Sequence, residues 1–405
     1  MQKTMMILGA SALQVPAIRK AKELGYRIIL VDYDENAVGF PLADVKLVVS
    51  TLDQEEVYRQ ALIYQPDVVI TSASDGPVRT AAYVNERLGR QPDLSYEDAV
   101  CATMKNHMRD RLRENGVPIP AYYAVQSFEE LKTAAALLKG RCIVKPSDNA
   151  GSRGVVLVEE DASGKEEELR RIYEYSRSCS RNGILMAEEY MEGPEVSVEA
   201  MTVKGQTTIL TITDKFLTPP PYFVELGHSQ PSRLEEGAQE RIREIALQAV
   251  KAIRLVNGPS HTEVKVTRDG PRIVEIAARL GGDFITSRLV PLSTGVDMVG
   301  SSVLLAAGGE VDLAPKQSRG AAICFIPAAS GILRSMDVDP AVYEMEGVEE
   351  VVLYKTPGEA VSGTRSSNDR LGHVIAVGRS PEEAMERAKQ AASLIRPEVM
   401  ERRER

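Results

Sequence analysis

Cysteine is scarce in this chain: Cys101, Cys142, Cys179 and Cys324 stand far apart among 405 residues, with no C-x-x-C pair and no metal-ligand spacing. That excludes a disulfide framework and a thiolate metal site, and fits idle thiols in a reducing cytoplasm. Positive charge is also short. The 49 Lys and Arg against 58 Asp and Glu leave a net charge of -9, which excludes a general attraction to nucleic acid or to an anionic membrane and leaves room only for a local phosphate-binding groove. Long apolar runs are missing too. The run from Met5 to Ala10 is too short for a secretory or membrane-spanning segment and reads as a first strand, so no targeting signal and a cytoplasmic location are expected.

Familiar reaction motifs are equally absent. There is no Ser-His-Asp order, no H-E-x-x-H helix, no cysteine nucleophile context and no Gly-Lys-Ser/Thr phosphate loop. Of the four histidines, His107 falls on a charged helix and His373 begins a strand, while His261 is either a core residue or a group behind a site. No internal repeat occurs. The biased stretches, an acidic loop at 159–168 and a basic tail at 402–405, read as solvated surface.

What is present is ample apolar content, 43% hydrophobic over 405 residues, enough for roughly two to three domains. The first 97 residues alternate strand and helix as a parallel α/β sheet does: "MMILGAS", a helix ending at Gly25, "YRIILVDYD", a helix N-capped by Asp53, "DVVITSASDG", and a further helix. Asp32 lies about twenty residues beyond the first turn, where a ribose-binding acid would stand. The turn reads Gly9-Ala10-Ser11-Ala12-Leu13-Gln14, however, and lacks the glycines that a dinucleotide pyrophosphate needs.

From Lys105 the texture changes to a charged helix, a Gly116 stop and a Pro118-x-Pro120 exit. An amphipathic helix at 127–139, a strand-loop-strand unit at 142–158 and a long helix at 235–254 follow. Residues 98–312 are thus expected to form a second, α+β domain of two lobes, about 120–195 and 196–312. Residues 313–405, with "AAICFIPA", "EEVVLYK", "HVIAVG" and a last helix, are expected to form a small α+β unit.

Four constellations carry chemistry. In "HTEVKVTRDGPRIVEIAARLGGD" the alternation puts Glu263, Lys265 and Thr267 opposite Thr262, Val264 and Val266, and Arg268 to Pro271 reads as a hairpin turn. Glu263 and Glu275 then fall on adjacent strands, and two carboxylates about 4 Å apart repel by roughly 4 kcal/mol at an effective dielectric near 20. Either a cation joins them, with oxygen donors favouring Mg²⁺ or Mn²⁺, or one acid pairs with Lys265 or Arg279. Second, "VKPSDNAGSRG" places Lys145 at a strand end before a small-residue loop able to wrap a polyphosphate or to serve as a plain hairpin tip. Third, "MAEEYMEGPEVSVEA" sets Glu188, Glu189 and Glu195 around a Gly193-Pro194 turn, either as acceptors for adenine and ribose or as surface acids. Fourth, Glu225 and His228 stand three apart in a Pro- and Gly-rich loop, where both could reach a polar ligand.

Taken in order, Lys105, "VKPSDNAGSRGV", "EEYMEGPEVSVE" and the Glu263 to Gly282 stretch resemble an ATP-grasp enzyme, in the flavour of bacterial L-amino acid ligases and their biotin-carboxylase-like relatives. The resemblance covers about residues 100–310. It implies that Lys105 and Lys145 contact ATP phosphates, that Gly151, Ser152 and Gly154 belong to a mobile phosphate-covering loop, that Glu188, Glu189, Tyr190 and Met191 read adenine, and that Glu195 holds ribose. Glu263 and Glu275 match the Mg²⁺ ligands, and Arg279 matches the arginine on the transferring phosphate and substrate carboxylate. Glu225, His228, Gly282 and Asp283 match or adjoin the amino-acid pocket, and Asp283 suggests a substrate with a donor or positive group. One departure is Ala277, where many members carry a metal-binding Asn. The implied activity is ATP-dependent carboxylate-amine ligation through an acyl phosphate, acting on small molecules, with a homodimer as the family-level expectation. The alternatives are carboxylation through carboxyphosphate, although no biotin-carrier segment is present, and a silent ATP-binding regulatory module.

Overall fold

A computed structural model of the chain describes residues 2–90, 93–160, 166–220 and 222–400. The basic tail at 402–405 and the middle of the acidic loop, 161–165, lie outside the described residues.

The N-terminal unit is a four-stranded parallel sheet of β1 (Thr4–Leu8), β2 (Arg27–Asp32), β3 (Val45–Val48) and β4 (Val68–Thr71), in the order β3-β2-β1-β4. Helices α1 (Val15–Glu23), α2 (Gln54–Tyr64) and α3 (Gly76–Arg87) join or follow the strands. Asp53 does cap α2, accepting the Glu56 N–H at 3.0 Å. β3 carries no sequence signal, being a half-exposed edge strand of four residues. Asp32 ties down its own turn, accepting the Ala10 and Asp34 N–H groups at 2.7 and 3.0 Å.

After α4 (Tyr96–Cys101) and α5 (Lys105–Glu114) comes a small lobe. Its antiparallel sheet, in the order β5-β8-β6-β7, is built from β5 (Tyr122–Val125), β6 (Cys142–Pro146), β7 (Val156–Val158) and β8 (Leu185–Glu189). Helices α6 (Phe128–Leu138) and α7 (Glu166–Ser178) cover one face, closing a core of Phe128, Leu131, Val144, Leu169 and Leu185.

The large lobe is an eight-stranded sheet, β13-β12-β9-β10-β11-β14-β18-β16. Its members are β9 (Glu195–Val203), β10 (Gln206–Leu217), β11 (Glu225–Gln230), β12 (Gly258–Thr267), β13 (Gly270–Ala277), β14 (Gly320–Ile326), β16 (Val348–Leu353) and β18 (Gly372–Gly378). β15 (Ser330–Val338), β17 (Ala360–Ser362) and β19 (Ile395–Met400) form a separate three-stranded sheet. Helix α8 (Glu236–Ala252) buries Ile242, Ile245 and Ala249 against Val264, Ile273 and Ile276, while α9 (Val290–Thr294), α10 (Met298–Ala306) and α11 (Pro381–Ser393) pack elsewhere. Strands on both sides of residue 313 therefore belong to one ladder, because β11 pairs with β14. No single helix among the described residues is long and apolar enough to cross a membrane.

Two bulges set the faces of this sheet. On β13, Val274 is the extra residue between the pairs Glu263↔Glu275 and Val264↔Ile273. Ile273 and Ile276 can therefore both enter the core while Glu275 and Arg272 turn to the opposite side. On β11 the extra residue is Leu226, between Lys215↔His228 and Phe216↔Gly227 on one side and Leu217↔Glu225 on the other. The sequence suggests a loop here. Ladders to β10 and β14 override the Gly and Pro content, and the bulge brings Glu225 and His228, three residues apart, onto a common face.

The lobes are joined through Gly193, whose φ of 133° and close approach to the Val266 carbonyl exclude a side chain: an added Cβ would lie 2.0 Å from that oxygen. Gly193→Ala should lower the unfolding free energy by on the order of 2–4 kcal/mol, measurable by urea titration.

Candidate active site

The two lobes enclose a cleft, and the hairpin β12–β13 forms its floor. Glu263 and Glu275 are directly opposed across the ladder, as the alternation predicts. Their partners differ from the expectation. Neither pairs with Lys265 or Arg279; Lys105 lies 2.9 Å from Glu275, and Lys215 lies 2.7 Å from Glu263. Arg279 instead takes Asp75, at the start of α3, with Nε at 2.6 Å and Nη2 at 3.1 Å, and Lys265 takes Glu195 at 3.2 Å. The net effect is a floor of acids each held by a cation from another element.

Lys215 is the residue that sequence reasoning missed. It sits mid-sheet on β10, beside Glu195 on β9 and His228 on β11, and reaches Glu195 and Glu263 at 2.7 Å and Glu225 at 3.6 Å. Burial alone would depress its ammonium, but the three carboxylates outweigh that and hold it well above the usual lysine value. Glu263 is held well below the usual range: burial pushes it up, and Lys215 and His261 more than reverse the push. His261, left open between core and second layer, stands behind the floor with Nδ1 2.9 Å from Glu199 and Nε2 3.5 Å from Glu263. Burial opposes its charge, and the two glutamates raise it to about 9.

On the small lobe, Glu188 is neither a surface acid nor a free acceptor for adenine. Its carboxylate receives two hydrogen bonds from Arg109, at 2.8 and 2.9 Å, and lies 2.7 Å from Lys145. Burial would raise its pKa, but Arg109 and Lys145 overcome that and bring it to about 2. Lys145 is depressed, first by burial and then by its cationic neighbours Arg109 and Lys105. Glu189 is similarly engaged, with Arg272 at 2.9 Å. Beyond these charges, Ile143, Tyr190, Met191, Leu217, Phe223 and Val274 make an apolar end that suits a flat ring.

The loop 149–154 overhangs the junction, and Gly151 and Ser152 line it in left-handed conformation, with φ of 67° and 57°. Gly154 does not face the cleft. It packs where an added Cβ would meet Cys179 at 2.7 Å, so its role is local packing.

A second cavity continues past Lys105, Glu263, Glu275 and Arg279 toward Glu225, His228, Gly282 and Asp283. Here Asp283 departs from its expected role. Arg370, from the C-terminal segment, binds it with two bonds of 2.6 and 2.7 Å, and His228 Nε2 lies 3.3 Å away, so its charge is already matched. Burial raises Asp283, while Arg370 and His228 lower it further, well below the usual carboxylate range. Glu225 accepts from Ser367 at 3.2 Å. Asp75, Arg109 and Arg370 join the cleft from helices and loops tens or hundreds of residues away, and only the fold assembles them.

No group of three or more His, Cys, Asp or Glu among the described residues is arranged to hold a metal. Two opposed carboxylates do fit a hard divalent cation that takes its remaining ligands from water and phosphates. Ala277, buried opposite His261, adds no ligand.

A cleft between a four-stranded lobe and a β-floor, with two lysines on one side and paired acids on the other, is the arrangement that the ATP-grasp resemblance of the sequence implies. Residues 138–287 match the family model for the ATP-grasp domain, and residues 324–400 match that for the L-amino acid ligase C-terminal domain 2. The central segment of the chain is thus similar to ATP-grasp domains, and its C-terminal segment to the C-terminal domain of L-amino acid ligases. It is 30% identical over 314 residues to an uncharacterized protein of Sinorhizobium fredii, covering 77% of this chain and 64% of that protein. It is 29% identical over 247 residues to alanine–anticapsin ligase of Bacillus subtilis, covering 56% and 51%. The chain thus spans between half and two thirds of the length of these two relatives. The crystal structure of an L-amino acid ligase from Bacillus licheniformis shares the fold, with a TM-score of 0.81 at 22% identity over 98% of this chain and 99% of that one.

Two outcomes follow from the charge pattern. Lys215→Met strips Glu195, Glu225 and Glu263 of their shared cation, so stability should fall by about 3–5 kcal/mol, and Mg²⁺ alone should raise the melting temperature more in the variant than in the parent. Glu188, with a folded pKa near 2 against 4.5 in the open chain, contributes stability that is present above about pH 4.5 and lost as pH falls toward 2. Glu188→Gln should therefore lower stability at pH 7 and flatten the acid limb of the stability profile below pH 4.5, followed by circular dichroism.

Proposed function

We propose that this chain is an ATP-dependent carboxylate-amine ligase that forms an amide or peptide bond, with an amino acid as one substrate. The observation that carries the reading is the direct opposition of Glu263 and Glu275, facing Lys105 and Lys145, between an apolar end sized for a base and a polar end lined by Glu225 and His228. The ligase-type C-terminal domain supports an amino acid as substrate.

In this reading the apolar end receives adenine against Tyr190 and Met191, Glu195 faces the ribose, and Lys105 and Lys145 hold phosphates. Glu263 and Glu275 would hold Mg²⁺ or Mn²⁺, which supplies charge neutralisation on the phosphoryl group. Arg279, aimed by its two bonds to Asp75, holds the substrate carboxylate in line with the γ-phosphate. A carboxylate oxygen takes the phosphoryl group, ADP leaves, and an amine nitrogen then attacks the acyl carbon, expelling phosphate and losing a proton. The loop 149–154 keeps water off the acyl phosphate, whose hydrolysis is the competing reaction. Glu225 and His228 line the side from which an amino-acid substrate is held. The division of labour follows three units: 1–97 closing the substrate end, 98–312 carrying the chemistry, and 313–405 completing the pocket.

The test is ADP release from Mg²⁺-ATP with single and paired amino acids, read together with product mass. A particular pair should yield ADP and a new amide mass. Glu275→Gln should abolish both, and Arg279→Lys should lower turnover by about 10²-fold or more, because a point charge cannot reproduce the planar fork. A product mass that persists in Glu275→Gln, or near-normal turnover in Arg279→Lys, refutes the assigned roles.

A further inference from the structure

Most cations of the cleft are already spent. Lys105, Lys145, Lys215, Arg279 and Arg370 each have a carboxylate oxygen within 3 Å. Arg79 breaks the pattern. It lies on α3 one turn beyond Asp75 and lines the substrate end of the cleft, yet among the described residues its only hydrogen-bonding partner is the Met104 sulfur, 3.2 Å from Nη1. Its Nε is buried and has no partner. A guanidinium presents five donors and keeps its charge at any working pH. Leaving those donors unspent at a half-buried site costs free energy that an incoming anion would recover.

The surroundings fit a small polar molecule. Arg79 stands beside the carboxyl edge of the parallel sheet, the side on which open α/β sheets bind ligands. There the cavity is lined by Ser11, Gln14, Ser50, Thr51 and Ser74. Gln14 is pinned, receiving the Ser11 N–H at 3.1 Å and donating to Ser74 at 3.0 Å, and Asp32 on the same wall is engaged by the Ala10 and Asp34 N–H groups, so among the described residues no carboxylate pairs with Arg79.

We propose that Arg79 anchors a second anionic group on the substrate acid. The class of substrate is a short acid bearing a further carboxylate or a phosphate about 5–6 Å from the reacting carboxylate, since Arg79 and the Asp75–Arg279 pair are one helical turn apart. This rests on the ligase reading, in which Arg279 holds the reacting carboxylate.

The test is calorimetric and needs no turnover. The full chain is first titrated with MgADP. The loaded protein is then titrated with L-glutamate, L-aspartate and O-phospho-L-serine, and with the neutral counterparts L-glutamine, L-asparagine and L-serine. At least one acid should bind about tenfold or more tightly than its neutral counterpart. In Arg79→Met that gap should close to within about twofold, in Arg79→Lys part of it should survive, and MgADP affinity should stay within about twofold of the parent in both. The proposal is overturned if the parent shows no preference for any acid, if the preference survives in Arg79→Met, or if Arg79→Met weakens MgADP as strongly as it weakens the acid. Failure of the parent to bind MgADP at all would remove the ligase reading itself, an outcome separate from these.

Discussion

Arg109 has no exposed surface, and it carries a full charge where three elements meet. From α5 it grips Glu188 on β8 with two bonds and donates to the Val274 carbonyl on β13 at 2.8 Å. A buried charge tolerates this position only while fully partnered, so the small lobe, the helix and the floor hairpin are constrained to meet here. Lys145 takes its position from the same glutamate, and the depth of the cleft is set by how far these groups stand from Glu275 across the gap. Relative motion of the lobes has to leave this knot intact, which confines it to the segments that surround it, the 149–154 loop and the Gly193 crossing.

The rest of the cleft follows a related logic. Its acids are each matched by a cation, Glu263 by Lys215, which Glu195 and Glu225 share, Glu275 by Lys105, Asp75 by Arg279 and Asp283 by Arg370. For a ligand of the proposed kind, a phosphate chain with a divalent cation, binding would be an exchange of partners. In the proposed reading Lys105 would pass from Glu275, and Lys145 from Glu188, to phosphate, while Glu263 and Glu275 would turn to the cation, without any group having to shed its full hydration at that moment.

Much of this was legible in the sequence, for reasons that can be named. The period-two alternation of 261–267 put Glu263 on the face away from Val264, and the short link at 268–271 put Glu275 opposite it. Caps and stops marked α1, α2 and α5. The bulges at Val274 and Leu226 were not legible, because an extra residue is defined only by the partner strand. Without them Glu275 would share a face with Ile273, and Glu225 would turn away from His228. Lys215 was equally silent: a lone lysine in a Thr-rich stretch acquires meaning only from β9 and β11 beside it. Glu188 looked like one acid of several at a strand exit, since its guanidinium partner lies 79 residues earlier. The partner of Asp283 was hidden for the same reason, with Arg370 87 residues later.

The shared ladder between β11 and β14 also bears on how such chains can be recombined. Because the C-terminal strands extend the same sheet that carries Glu263 and Glu275, the segment beyond residue 313 is not a bead on a string that can be exchanged at a linker. A graft from another protein would have to reproduce the Gly227↔Cys324 register, and Gly227 itself, whose added Cβ would stand 2.6 Å from the Ile323 carbonyl oxygen. Chimeras that respect sequence boundaries but ignore that seam should misalign the wall bearing Arg370, so hybrid pockets are more accessible by changing loops than by swapping domains.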